Sequence, residues 1–343
     1  MAGKLKRVVL QVVAGGLYYS GLLRLRLFFR RVVLRRKEVC VLGLHRVLSA
    51  EEEAHANSLS GIVLRERTFE GMLEFLSREF RVLSLQTFLR GSDDDPSPRK
   101  PCCVITFDDG WRDNYVTACP LLKKHGMPAV IFLVTGLVGA QQTFWVEQLV
   151  RTYREPTGRQ RIRERFEQVA GKGQEEPDPG EIVEHLKNLP ARERDRILAD
   201  LVPGYGDGAP RTDGDRMLAW EDVAAMQEQG IEFESHTVTH PLLVYEDDAT
   251  VQNELRASKQ TIEQRLRKAA RAFAYPNGTY DERVRSMVQA CGFECAFTTR
   301  RGWYCRGDDR YAIPRIMLHE ALVTGIDGKF SPALLSLRLT GWR

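Results

Sequence analysis

Residues Cys102-Cys103-Val104-Ile105-Thr106-Phe107 make a short, continuous, β-branched run that stops at two adjacent carboxylates, Asp108 and Asp109, followed by Gly110. A run without polar alternation reads as a strand buried on both faces, the condition of an interior strand in a parallel sheet covered by helices. Its C-terminal mouth is where α/β folds present their chemistry, and Gly110 permits a tight exit there. The same grammar recurs downstream. Gly230-Ile231-Glu232-Phe233-Glu234-Ser235 reads as a strand that delivers His236, with His240 four residues later, and Phe273-Ala274-Tyr275 runs into the turn residues Pro276-Asn277-Gly278. Val39 to Leu44 reads as a first strand ending at His45, which a loop hydrogen bond explains as well as chemistry does.

Amphipathic stretches separate these strands, and helical spacing predicts helices over 68–80, 221–229, 251–268 and 281–291. In the third, Val251, Leu255, Ile262 and Leu266 fall on one stripe and face the core. A βαβα order predicts an α/β fold built on a parallel barrel.

One carboxylate with two imidazoles is a donor set for a divalent metal, zinc or a neighbour (cobalt, nickel or manganese), with a position left for water. The second carboxylate of the Asp108-Asp109 pair points to the opposite face of the strand and is free to act as a base. Other zinc signatures fail: Thr237 stands where a His-Glu-x-x-His protease carries Glu, and the chain has no paired Cys-x-x-Cys units.

Thr106-Phe107-Asp108-Asp109-Gly110 and His236-Thr237-Val238-Thr239-His240-Pro241 resemble the first two motifs of the polysaccharide deacetylase family, the NodB-like enzymes of carbohydrate esterase family 4. The resemblance spans about residues 40 to 320. It implies a distorted, incomplete (β/α) barrel, with Asp108 as catalytic base and Asp109, His236 and His240 as metal ligands. The activity it implies is removal of N-acetyl groups from amino sugars of a polysaccharide or membrane-linked glycan by metal-activated water. Asp108 would then need a basicity near the working pH. The family's third motif carries an Arg that touches the catalytic Asp; Ala274 stands there, before Tyr275-Pro276-Asn277, and Arg315 could supply the charge from another strand. The family's late Leu-x-Leu-His motif is echoed by Ile316-Met317-Leu318-His319, making His319, or protonated Asp108, the proton donor to the leaving amine. Tyr275, Pro276, Asn277, Arg315 and Trp145 are the expected substrate contacts, although an aromatic pair such as Phe144-Trp145 before a helix also reads as core.

The chain divides into a basic segment 1–38, a catalytic domain 39–320 with core motifs from about residue 100 and an insertion at 146–216, and a tail 321–343. The insertion is dense in Arg and Glu and reads as helical, flanked by Gly- and Pro-rich loops. Ten Lys or Arg against Glu38 give the first 38 residues +9, leaving −5 for the rest of a chain of net charge +4. The basicity is local, so nucleic acid is not an expected partner of the main domain. Val8 to Leu23 is too short and interrupted for a spanning helix and lacks a cleavage site. From Leu22 to Arg36, Leu25, Phe28, Phe29 and Val32 share one face, which suits a helix lying on an anionic membrane surface; a basic helix packed on the barrel is the alternative. Seven cysteines, several in strand-like runs, favour a reducing compartment and the cytoplasmic face; export by an uncleaved signal-anchor is the alternative. Two further functions stay open: an amide or formamide hydrolase acting on a small molecule or lipid-linked sugar, and a non-catalytic glycan-binding relic.

Overall fold

A computed structural model describes residues 2–29, 38–91, 100–170, 178–205 and 213–340. Among these residues eleven strands are formed: β1 (Glu38–Leu44), β2 (Arg46–Leu48), β3 (Val63–Arg65), β4 (Arg81–Val82), β5 (Cys102–Phe107), β6 (Val130–Leu133), β7 (Glu232–Ser235), β8 (Ala272–Ala274), β9 (Cys295–Phe297), β10 (Tyr304–Cys305) and β11 (Ile316–Met317). Nine of them make one sheet in the order β10-β1-β5-β6-β7-β8-β9, with β11 on β1 and β4 on β5; β2 and β3 pair separately. Every pairing in the large sheet is parallel except β1 with β10. The sheet curls into a half-barrel covered by helices, the distorted, incomplete (β/α) barrel that the motifs imply.

All six residues of β5 are buried, because β1 lies along one edge while β4 and β6 share the other. Packing sorts its side chains: Cys103, Ile105 and Phe107 join the core under the helices Glu66–Glu79 and Trp220–Glu228, whereas Cys102 and Val104 join the barrel interior with Phe132 and Phe297. The helices expected at 68–80, 221–229, 251–268 and 281–291 form at Glu66–Glu79, Trp220–Glu228, Asp248–Leu266 and Glu282–Ala290. Val251, Leu255 and Ile262 are buried as the stripe requires.

The gap between β9 and β1 is spanned by a short segment. The Ile313 N–H donates to Ala296 and the Thr298 N–H to Ile313, while the Leu318 N–H donates to Gly43 on β1. Arg315 is therefore carried on backbone bonded to both ends of the curled sheet.

The insertion folds as four helices, Trp145–Arg154, Pro156–Ala170, Pro179–Lys187 and Ala191–Leu201, around a core of its own that includes Leu149, Ile162, Ile182, Leu186 and Leu198. Most of its expected flanking loops, 171–177 and 206–212, lie outside the described residues.

At the N-terminus two helices form, Ala2–Tyr19 and Leu22–Phe28, bent by 63° at a break where Gly21 takes φ 78°. Ala14 and Leu23 pack with Ala333, Leu334 and Leu337 of the helix Pro332–Leu339, so part of the expected tail is a docked helix. The part of the expected interfacial helix at 30–36, with Val32 and its arginines, lies outside the described residues.

A candidate metal centre at the mouth of the barrel

Asp108 and Asp109 leave β5 at its C-terminal end, where the Asp108 N–H donates to Leu44 at 2.9 Å and Asp109 takes φ 78°. That left-handed turn separates the two carboxylates. Asp109 turns toward His236 and His240, with Oδ1 3.6 Å from Nε2 of each, and the three donor atoms lie within 4.8 Å of one another. The other Asp109 oxygen accepts from Trp111 Nε1 at 3.1 Å.

His236 follows β7 directly, and its Nδ1 lies 2.7 Å from the Ala274 carbonyl on β8. That bond puts the proton on Nδ1 and leaves the Nε2 lone pair facing the cluster, the tautomer a ligating histidine needs. His240 is held less directly. Thr237 and His240 both have positive φ, 71° and 60°, and the loop between them is pinned by buried Glu254, which accepts from the Val238 N–H at 2.6 Å, the Thr239 N–H at 3.0 Å and the Thr239 hydroxyl at 2.7 Å. Burial lowers the pKa of both imidazoles, keeping them neutral. With protein groups alone, burial and the Asp108 charge push Asp109 up to about 8, a balance that a neighbouring cation reverses. Two neutral imidazoles and one electron-rich carboxylate converging on a point fit a divalent metal of the zinc type.

Asp108 is clamped. Arg315 NH1 and NH2 donate to its two oxygens at 2.7 Å each, and the same guanidinium reaches Thr106 Oγ1 at 3.2 Å and the Thr298 carbonyl at 3.0 Å. Burial alone would raise the Asp108 carboxyl, but Arg315, helped by His236 and His45, holds it below the usual carboxylate range. The expectation of a basicity near the working pH is therefore corrected: the bidentate clamp favours the ionised form of Asp108 and makes it a weaker base than expected. Arg315 also corrects its expected substrate contact, because it is fully buried with its donors turned to Asp108. It stands instead where the missing third-motif Arg was expected to act.

A cavity of about 290 Å³ opens onto this cluster. His45, Asp108, Asp109, His236, His240, Asn277 and Met317 line it from the barrel, and Trp145, Glu147, Lys187 and Arg194 line it from the insertion. Of the expected substrate contacts, Asn277 and Trp145 reach the cavity. The Trp145 ring also packs in the insertion core and carries the Arg194 guanidinium 5.4 Å from its centroid, so that face is taken. Tyr275 and Pro276 do not line the cavity: Tyr275 is fully buried, stacked on Tyr280, with its hydroxyl donating to the Tyr311 carbonyl. His319 is not at the cavity either. Pairing of β11 with β1 ends at Met317, and the chain then turns through His319 into the helix Glu320–Val323. Met317 takes the cavity position, while His319 is half-buried with Nδ1 lacking a hydrogen-bond partner among the described residues and with Arg338 as the charge that acts on it.

His45, unlike His319, is at the cavity. It follows β1, lines the cavity, and places Nε2 4.0 Å from Asp108 Oδ2; burial pushes its imidazole down to about 4. Behind Trp111 a buried network fixes the far side of the site. Arg46 lies 4.2 Å over the Trp111 ring and donates to Asp113 at 2.9 Å, Asp215 at 3.1 Å and Ser58 at 2.8 Å, and the Ser58 hydroxyl donates to Glu147 at 2.8 Å. Position after a strand was the sequence signal for His45. Nothing in a helix dense in Arg and Glu distinguished Lys187 or Arg194 from a solvated face.

A family model described as polysaccharide deacetylase matches residues 95–296. Among curated proteins, YxkH of Bacillus subtilis (strain 168) is 23% identical over 222 residues, 65% of this chain and 53% of that protein. The poly-beta-1,6-N-acetyl-D-glucosamine N-deacetylase of Staphylococcus aureus (strain MSSA476) is 21% identical over 264 residues, 74% of this chain and 66% of that protein. The chain thus spans between 53% and 66% of the length of these relatives. Among solved structures, the Streptococcus pyogenes deacetylase PplD in complex with acetate superposes with a TM-score of 0.56 at 20% identity, covering 88% of this chain and 98% of that one.

Proposed function

This chain belongs to the polysaccharide deacetylase family, and from that premise we propose that it is a metal-dependent hydrolase that removes N-acetyl groups from amino sugars of a glycan. The observation that carries the reading is the convergence of Asp109, His236 and His240 beside an Arg-clamped Asp108 at the floor of a cavity. A divalent cation held by those three residues would polarise the acyl oxygen and acidify a water molecule. Asp108, oriented by Arg315, is placed to act as the base that takes a proton from an attacking water. The departing nitrogen needs a proton, and His45, 4.0 Å from Asp108, is placed to carry it from the carboxyl group to the amine. Cavity walls of Leu59, Ile62, Trp145, Val146 and Leu242 limit water around the acyl group. A guanidinium on Asp108, supplied by Arg315 in place of the absent third-motif Arg, supports the hydrolase over a non-catalytic relic.

Acetate release from N-acetylglucosamine oligomers tests this reading together with the role of His45. His45→Gln is expected to slow amide hydrolysis about 100-fold and to slow an aryl acetate ester, whose leaving group needs no proton, far less. Equal slowing of both would remove His45 from proton delivery, and no acetate from any N-acetyl sugar with the wild type would overturn the hydrolase.

We further propose that the N-terminal helices rest on an anionic membrane surface. No single helix among the described residues is long and apolar enough to cross a membrane, and the bent pair reaches that composition only jointly. Docking on the helix Pro332–Leu339 leaves Leu5, Val12, Tyr19, Leu22, Leu25 and Phe28 at least 50% exposed, next to Lys6, Arg7 and Arg24 in the sequence. Apolar side chains interleaved with cations match lipid chains below and anionic headgroups above. The protein is expected to sediment with vesicles containing phosphatidylglycerol, and Leu25→Glu/Phe28→Glu to stay in the supernatant; wild type that ignores such vesicles would contradict this.

A further inference from the structure

The insertion does more than enclose the site: it brings cations to it. Lys187, the last residue of the helix Pro179–Lys187, and Arg194, in the helix Ala191–Leu201, both line the catalytic cavity. Arg194 is buried, stacked on Trp145 and bonded to the half-exposed Asp195 at 3.0 Å. Lys187 is 27% exposed and bonded at 2.8 Å to Glu184, whose own side chain is 64% exposed and well solvated. Opposite charge on the floor is already committed, since Asp108 is matched by Arg315 and Asp109 belongs to the donor set proposed for the metal. Glu147 is also in the wall, but burial pushes it up to about 7, which weakens it as a counter-charge. The partners of the two cations, Glu184 and Asp195, are 64% and 46% exposed and screened by solvent, so both cations keep an attraction for an anion that a neutral polysaccharide does not supply.

We propose that the insertion side of the cavity is a subsite for an anionic group, a phosphate or a carboxylate, carried by the amino-sugar substrate near its acetamide. This rests on the hydrolase reading and narrows its substrate class. Lys187 supplies a mobile ammonium and Arg194 a guanidinium fixed by Trp145, so the anion is drawn in by the first and oriented by the second. Both sit on the insertion, so substrate class is written in these helices and the acyl chemistry in the barrel.

Binding, which needs no turnover, separates the two levels. With the metal-loaded protein, calorimetry would compare N-acetylglucosamine, N-acetylglucosamine 1-phosphate and an N-acetylglucosamine–glucuronate disaccharide. At low salt at least one anionic sugar is expected to bind about tenfold more tightly than the neutral one, with the advantage shrinking as salt rises. Lys187→Gln should remove most of that advantage and Lys187→Arg should keep it; whichever arm shows it identifies the anion. Equal affinity for all three sugars would overturn the subsite. So would an advantage that survives Lys187→Gln, because the anion would then be sitting at the metal. Acetate release in the same samples reports on the hydrolase reading alone.

Discussion

Asp108→Asn is expected to abolish acetate release while leaving the bound metal in place. The Asn side chain is nearly isosteric, and Asp109, His236 and His240, the proposed ligands, are untouched. What it lacks is the negative charge that accepts the proton, so a loss of about 100- to 10,000-fold is expected, the range seen when a positioned base is removed. The substitution also strands Arg315, whose two short hydrogen bonds to the carboxylate would fall on an amide. Metal content, measured on the purified variant, separates the outcomes. A variant that binds metal and is inactive places the base at Asp108, whereas substantial residual turnover would move that role elsewhere.

Arg315→Met should be the most destabilising single change in the site. It leaves the Asp108 carboxylate buried without its partner, and breaking a buried pair from one side costs about 3–5 kcal/mol. The pH dependence follows from the sign of the shift. In the wild type the lowered Asp108 pKa contributes stability present above the ordinary carboxylate range and lost on acidification. Without Arg315, and with the protein kept metal-free, burial dominates and the pKa rises, so the variant loses stability as pH increases. Its deficit in urea denaturation is therefore largest at neutral and alkaline pH and shrinks in acid, where Asp108 takes up a proton. A deficit independent of pH would mean that Arg315 acts through packing alone. Activity should fall as well, since Asp108 loses the guanidinium that orients both of its oxygens.

The strand β5 was legible because an interior parallel strand has no solvent face, so its sequence carries no alternation and its end is marked by the first charge. His236 was legible for the same reason, as it follows a strand end directly, and His240 was legible from its spacing to His236. Arg315 was harder. It lies 207 residues from Asp108, and only the pairing of segment 313–318 with both β9 and β1 brings them together. The motif echo at His319 misled because alternation along a strand holds only while the strand lasts, and this one ends at Met317. His45 was visible as a strand-end histidine, but nothing local distinguishes a loop-bonded imidazole from one beside the buried carboxylate of Asp108. The N-terminal segment read as a run ending near Leu23 followed by one interfacial helix; the break at Gly21 divides it otherwise, because left-handed backbone interrupts a helix wherever glycine permits it.

The most direct test is metal reconstitution of the chelator-stripped protein with acetate release followed in parallel. Activity should vanish on stripping and return as one equivalent of zinc, or of cobalt, nickel or manganese, is restored, with His236→Ala and His240→Ala failing to recover at that concentration. Full turnover by the stripped protein, or stoichiometric high-affinity zinc binding that survives loss of both histidines, would contradict a metal centre at Asp109, His236 and His240.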